Sequence, residues 1–310
     1  MKQKSVPLIR LALMLTVVCG SFLVTSCKKQ PDGLVLMTDD AYRATVFASN
    51  KIGFGAPDGI LWSGGKLYLA DEGTRSVEVW SKDAGMKKLI DPQFGIDTPE
   101  DLVIDADGNI YFTDDAAGGV WEVDASGQQR LVAGKDQGLS STEGIALAPD
   151  GSILVGDVDQ KQIYRVTKAG EVSVFIGQEF GIAKPESMTF DDKGNLYIAD
   201  NEDNVLYLFD TNRQLHRVVD RTDYFSPETI FFSRGSLFIT DSHAGKLYVY
   251  TPNEELKPIA AFSGELKNIQ GVTVDEQGDI YVSVQSDIRK EIGYIIKLSK
   301  AEMLPVAIRN

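Results

Sequence analysis

The chain has 310 residues, 43% of them hydrophobic and 25% charged, so it can bury a sizeable core and is too apolar to be intrinsically disordered. Its 31 basic and 45 acidic side chains give a formal charge of −14, and no long Lys/Arg run offsets it, which excludes nucleic acid as a partner. Removing the first 26 residues, which hold three basic and no acidic side chains, leaves 28 basic against 45 acidic residues, a net of −17 that attracts cations.

In chain order, residues 1–26 read as an export signal: a basic start (Lys2, Lys4, Arg10), an apolar stretch from Leu11 to Val18, then small residues. Leu23-Val24-Thr25-Ser26-Cys27 resembles a bacterial lipoprotein cleavage box, which implies that Cys27 becomes the lipidated first residue of the mature chain. The expected location is the cell envelope, with the membrane met only through the lipid. Lys28 and Lys29 after the anchor point to the outer membrane. Cys19 lies inside the leader, so neither a disulfide nor a Cys-ligated metal is available. Residues 27–41 read as a tether.

From residue 42 to 310 the chain aligns with itself at a shift of about 42 residues. The units open at PDGILWSGGKLYLAD (57–71), PEDLVIDADGNIYFTD (99–114), TEGIALAPDGSILVGD (142–157), PESMTFDDKGNLYIAD (185–200), SPETIFFSRGSLFITD (226–241) and IQGVTVDEQGDIYVS (269–283). Each continues with a third and a fourth apolar run, as in GGVWEV then QQRLVA in the second unit. Four short strands per unit and six units predict an all-β fold, a six-bladed β-propeller of four-stranded blades forming one domain. The first run of each unit is nearly continuous in apolar residues and suits an innermost strand; the outer runs alternate, as in Val172, Val174 and Ile176. The Gly of the dipeptides at 107, 150, 193 and 277 supplies the turn between the first two strands. Tyr42 to Ala48 is expected to complete the last blade, a role that Leu304 to Ile308 could share.

The residues opening the innermost strands are Asp58, Glu100, Glu143, Glu186, Glu228 and Gln270, spaced 42, 43, 43, 42 and 42 apart. In a propeller these positions converge on the axis at one face. Five carboxylates there repel one another, and a divalent cation, best calcium with its six to eight oxygen ligands, relieves this; zinc is disfavoured with only His216 and His243 available. The alternative is that an acid at this point merely caps the strand and recurs through duplication. A second register, Asp71, Asp114, Asp157, Asp200 and Asp241, broken by Ser283, reads as architectural: an Asp at a strand end accepts N–H bonds from the following loop. Those loops vary most, the longest being VQSDIRKE (284–291), so specificity is expected on this face. His243 and Arg289, with Arg75 and Lys161, are the cationic or imidazole groups expected near the opening, while His216 belongs on an outer strand.

The units resemble those of NHL-repeat propellers, with a Pro-x-Gly-Ile-Ala opening, an Asp-x-x-Gly-Asn turn and a Tyr-Val-Ala-Asp ending, best kept at residues 99–114 and 185–200. The chain is also similar to the gluconolactonase and senescence-marker-protein family, six-bladed propellers that hold one divalent cation in the channel and hydrolyse lactones. By blade order that resemblance implies metal ligation by Asp58, Glu143, Glu186 and Glu228, with Glu186 and Glu228 catalytic and Glu100 and Gln270 auxiliary. None of the four positions keeps the family residue type. The resulting expectation is a monomeric envelope lipoprotein that hydrolyses a small lactone or ester with a divalent cation as cofactor. The alternative is a non-catalytic binding module for a sugar, peptide or envelope partner.

Overall fold

In the computed structural model the described residues are 35–220, 225–252, 254–288 and 291–301. The leader, Cys27, Arg289 and Leu304 to Ile308 lie outside them. Among the described residues no helix is long and apolar enough to cross a membrane.

Two strands precede the first repeat unit, β1 (Val35–Met37) and β2 (Tyr42–Ser49). The first four blades follow in order. They are β3 to β6 (Pro57–Ser63, Lys66–Asp71, Ser76–Ser81, Gly85–Ile90) and β7 to β10 (Pro99–Ile104, Ile110–Asp114, Gly119–Val123, Gln129–Ala133), then β11 to β14 (Thr142–Leu147, Ile153–Asp157, Gln162–Val166, Val172–Ile176) and β15 to β18 (Pro185–Phe190, Leu196–Asp200, Val205–Phe209, Leu215–Asp220). The fifth is β19 to β22 (Pro227–Ser233, Ser236–Asp241, Lys246–Tyr250, Lys257–Phe262), and the last has β23 (Ile269–Val274), β24 (Ile280–Asp287) and β25 (Ile292–Lys300). Every sheet is antiparallel, and in the first four blades the strands follow chain order from the innermost outward. Each innermost strand packs on the next, and β23 packs on β3, closing the ring of six.

The predicted propeller is therefore the observed fold. As expected, β2 forms the outermost strand of the last blade, with Tyr42 paired to Lys300 and Ser49 to Tyr294. Three residues of the stretch read as a tether do more than give reach: β1 pairs with β22 as a fifth strand of the fifth blade, Val35 opposite Phe262 and Met37 opposite Ala260. Much of the segment 284–291 is also strand rather than loop, because β24 runs on to Asp287.

The core lies between blades. Six apolar clusters fill the six inter-blade interfaces, among them Ala70, Ile90, Leu102 and Phe112 between the first and second blades and Leu67, Leu69, Tyr281 and Ile295 between the last and the first. The turn glycines adopt the left-handed conformation that the sequence asks of them, Gly108 at φ 86° among them. The outer strands do not alternate strictly. A bulge recurs between third and fourth strands, at Ile163/Tyr164 in the third blade, and leaves Val174 56% exposed.

Candidate functional site at the channel mouth

A register shift also interrupts each innermost strand at its start: Pro57/Ile60, Pro99/Leu102, Thr142/Ile145, Pro185/Ser187, Pro227/Ile230 and Ile269/Val272. The opening residues Asp58, Glu100, Glu143, Glu186, Glu228 and Gln270 sit inside these irregularities, where a side chain is released from the ladder and re-aimed. Asp58, Glu100, Glu143, Glu186 and Glu228 line one constriction, joined by Asp101 and Thr229, and leave a void of only about 10 Å³. Gln270 is held aside by amide bonds, its Nε2 donating to Asn268 Oδ1 (3.3 Å) and Gln285 Oε1 (3.3 Å).

The strand-ending Asp register is architectural, as its chemistry suggests. Asp71 accepts the N–H groups of Gly55 (2.5 Å), Ala56 (3.0 Å) and Thr74 (3.1 Å). Asp114 accepts those of Asp97 (2.8 Å), Thr98 (3.2 Å) and Ala117 (2.9 Å). Each Asp thereby ties the loop entering its blade to the loop leaving its second strand. In the last blade Ile269 pairs with Val284, so Val284, and not Ser283, holds this position. Ser283 is equivalent instead to Thr113 and Thr240, whose hydroxyls donate to the carbonyls of Glu143 and Gln270 in the neighbouring blade. Ser283 Oγ donates in the same way to Asp58 O (2.6 Å). The correction of one residue exposes a tier missed from sequence: Glu72, Asp115, Ser242 and Gln285 follow the strand-ending position and rim the mouth. Gln285 Nε2 donates to Glu72 (2.9 Å) and Asp58 (3.1 Å), Ser242 Oγ to Glu228 (2.6 Å) and Ser141 Oγ to Asp115.

The cation nearest the ring is another residue that sequence reasoning passed over. Lys184, two residues before Glu186, places Nζ 2.6 Å from Glu186 Oε2 and 3.8 Å from Glu143 Oε1. The equivalent positions in the other blades are Ala56, Thr98, Ser141, Ser226 and Asn268. Reading the repeat register two residues upstream would have singled out Lys184 as the one charged member. Arg75 and Lys161, expected near the opening, are instead spent in exposed pairs with Asp97 and Glu202, each at 3.3 Å. His243 does lie at the mouth, lining with Ser242, Lys267, Asn268 and Gln285 a side chamber of about 310 Å³. His216 is on the outer strand β18, 3.0 Å from Asp210.

Crowding and burial set the protonation of the ring. Burial first, then the charges of Glu228, Glu72, Glu143 and Glu186, hold the Asp58 carboxyl well above its ordinary range. Glu100 is raised by burial and by Asp58 and Glu143. Glu186 is raised by burial, Glu143 and Glu228 against the pull of Lys184. Burial lifts Glu143 too; with Lys184 opposing and Asp115 and Glu228 adding to it, its carboxyl is pushed up to about 7. Burial alone lifts Asp101 to about 7. Burial opposes the charge on Lys184, but the carboxylates of Glu186 and Glu143 win, and its ammonium is held above the usual lysine range.

Whether this ring suits the divalent cation expected from the sequence resemblance is a question of donors. Among the described residues no three acidic, His or Cys side chains come together closely enough to hold a metal ion. The space at the centre is about that of one water, and an ammonium stands on its edge. The donor set does not fit a divalent cation.

A family model described as strictosidine synthase-like, N-terminal, matches residues 87–123. No curated protein matches the chain by sequence. Among solved structures it is similar to a gluconolactonase from Xanthomonas campestris (TM-score 0.68, 16% identity, 84% of this chain and 90% of that one) and to virginiamycin B lyase from Staphylococcus aureus (TM-score 0.64, 16% identity, 84% and 100%). It is also similar to a chain of a nidogen/laminin complex (TM-score 0.59, 15% identity, 77% and 97%). At these identities the likeness is one of fold.

Proposed function

We propose that the acidic mouth is a hydrolytic site that opens a small lactone or ester. One observation carries this reading: the Lys184 ammonium and the Glu143 and Glu186 carboxyls converge where the channel meets the variable loop face. Such a set supplies the three functions that acyl hydrolysis needs. The ammonium, oriented by Glu186, polarises the carbonyl and stabilises the oxyanion of the tetrahedral intermediate. Glu143, which sits near neutrality, takes the proton of the attacking water and returns it to the alkoxide as the acyl C–O bond breaks. Glu228, expected as a catalytic residue, is fixed by Ser242 and, with Asp115, sets the field around Glu143. The product, a hydroxy acid, leaves as an anion that the surrounding carboxylates repel. The fold likeness to a gluconolactonase supports this reading without extending to the substrate.

The test is turnover of a panel of aldonolactones, aliphatic lactones and aryl esters. Glu143→Gln and Lys184→Ala are each expected to lower kcat/KM by about 10²-fold or more. A panel without turnover, combined with retained binding of a ligand at the mouth, overturns the proposal. That outcome favours the non-catalytic reading, in which the side chamber lined by His243 and Lys267 binds a sugar, peptide or envelope partner. Envelope attachment through Cys27 is part of the same proposal; loss of acyl-chain labelling in Cys27→Ala checks it.

A further inference from the structure

We propose that the Lys184 ammonium is the resident cation of the channel mouth, standing where the resembled propellers hold a divalent metal, so that this chain works without one. The inference deepens the hydrolytic reading and rests on it only for placing chemistry at the mouth.

Its grounds are geometric. Five carboxyl side chains from five different blades line one constriction, and their mutual repulsion is relieved by protonation or by a positive charge among them. Lys184 supplies it from within the chain, in contact with one carboxylate at 2.6 Å and near a second at 3.8 Å. It is anchored at both ends. Its carbonyl accepts the N–H of Glu186 (2.9 Å), and Pro185 fixes the backbone between them. The preceding Ala183 N–H is held by Asp200 (2.7 Å). A hydrated dication would have to displace this ammonium, because the remaining void is about 10 Å³. The opposite change follows from the same geometry. Removing the ammonium leaves Glu143, Glu186, Glu228, Asp58 and Glu100 without a cation among them; too widely spaced to hold a metal as they stand, they are expected to close on calcium, whose six to eight oxygen ligands tolerate irregular geometry. A lysine to alanine substitution therefore turns the mouth into a calcium site.

The test uses calcium alone, titrated calorimetrically into chelator-treated protein and followed in parallel by thermal unfolding. The native protein is expected to show no binding heat at micromolar calcium and no change in Tm with calcium or chelator. Lys184→Ala is expected to gain both, with a calcium-dependent rise in Tm on the order of 5 °C that chelator reverses. Should Lys184→Ala fail to fold without calcium, refolding on its addition gives the same support, and Lys184→Gln, which keeps the stem, repeats the measurement. Micromolar binding by the native protein overturns the proposal, and so does a folded Lys184→Ala that stays indifferent to calcium. Neither readout uses turnover, so a panel without activity leaves this result standing, and chelator-sensitive lactone hydrolysis contradicts it without touching the hydrolytic reading.

Discussion

At the scale of single residues, a carboxyl is defined by what surrounds it, and three kinds bear on the fold and the mouth. The strand-ending aspartates meet backbone N–H donors and act as braces. The ring acids meet one another and Lys184. Glu78, on β5, is a third kind: fully buried, it accepts from the hydroxyls of Ser76 (2.8 Å) and Thr74 (3.0 Å), with the Asp71 charge close by. Burial, and next the charge of Asp71, push its carboxyl up to about 8 from an ordinary 4.5. The folded protein thus binds this proton more tightly than the unfolded chain does. The stability it contributes is complete below pH 4.5 and is lost as pH rises toward 8. Glu78→Gln, which cannot ionise, should flatten this decline, so that the difference in Tm between pH 5 and pH 8 is smaller in the variant than in the native protein. An unchanged difference would assign the decline to other groups.

At the scale of the element, the blades approach so closely that the residue after the opening position is glycine in three of them. A Cβ on Gly144 would lie 2.7 Å from Glu186 O and 2.8 Å from Ser187 Cα, both backbone atoms of the next blade. Gly144→Ala should therefore cost about 1–3 kcal/mol in denaturant unfolding, by forcing β11 and β15 apart. Because the displaced strand carries Glu186, it should also depress any lactone turnover. Ser283→Ala, which loses the bond to Asp58 O and leaves the Gly271 N–H without its acceptor at 2.7 Å, should cost about 1–3 kcal/mol in the same assay. A Gly144→Ala variant as stable as the native protein would show that the close approach at Gly144 is relaxed without strain. These contacts also mark how far the sequence could be read. The opening acids were legible because duplication repeats them at nearly constant spacing and because each sits at a strand start. The last blade is offset by one residue because its second strand carries Val284 at the register position where the others carry Asp. Lys184 was passed over because its role comes from a side chain reaching two residues along and across to Glu143, a relation that no single register displays. The tier of Glu72, Asp115, Ser242 and Gln285 lacked a shared residue type, so repetition carried no signal for it.

At the scale of the whole molecule, a ring of blades must be joined once by non-neighbouring parts of the chain, and this protein does so twice, with unequal weight. β2 is an eight-residue strand paired along β25 from Tyr42 to Ser49, and its Ala48 is buried in the cluster that packs the last blade on the first. β1 is a three-residue strand on the open edge of the fifth blade, with Leu36 68% exposed. The first completes the ring, whereas the second extends a blade that already has four strands. A chain beginning after Met37 should unfold within a few degrees of the full protein, since it gives up three edge pairs and little buried surface. A chain beginning after Ser49 leaves the last blade with three strands and uncovers the apolar faces of Ile295 and Tyr281. It should lose cooperative unfolding or aggregate. Thermal unfolding of the two truncations decides the matter: a comparable loss in both would mean that the fifth strand is as much a part of the closure as β2, and that the fifth blade, not only the sixth, fastens the ring.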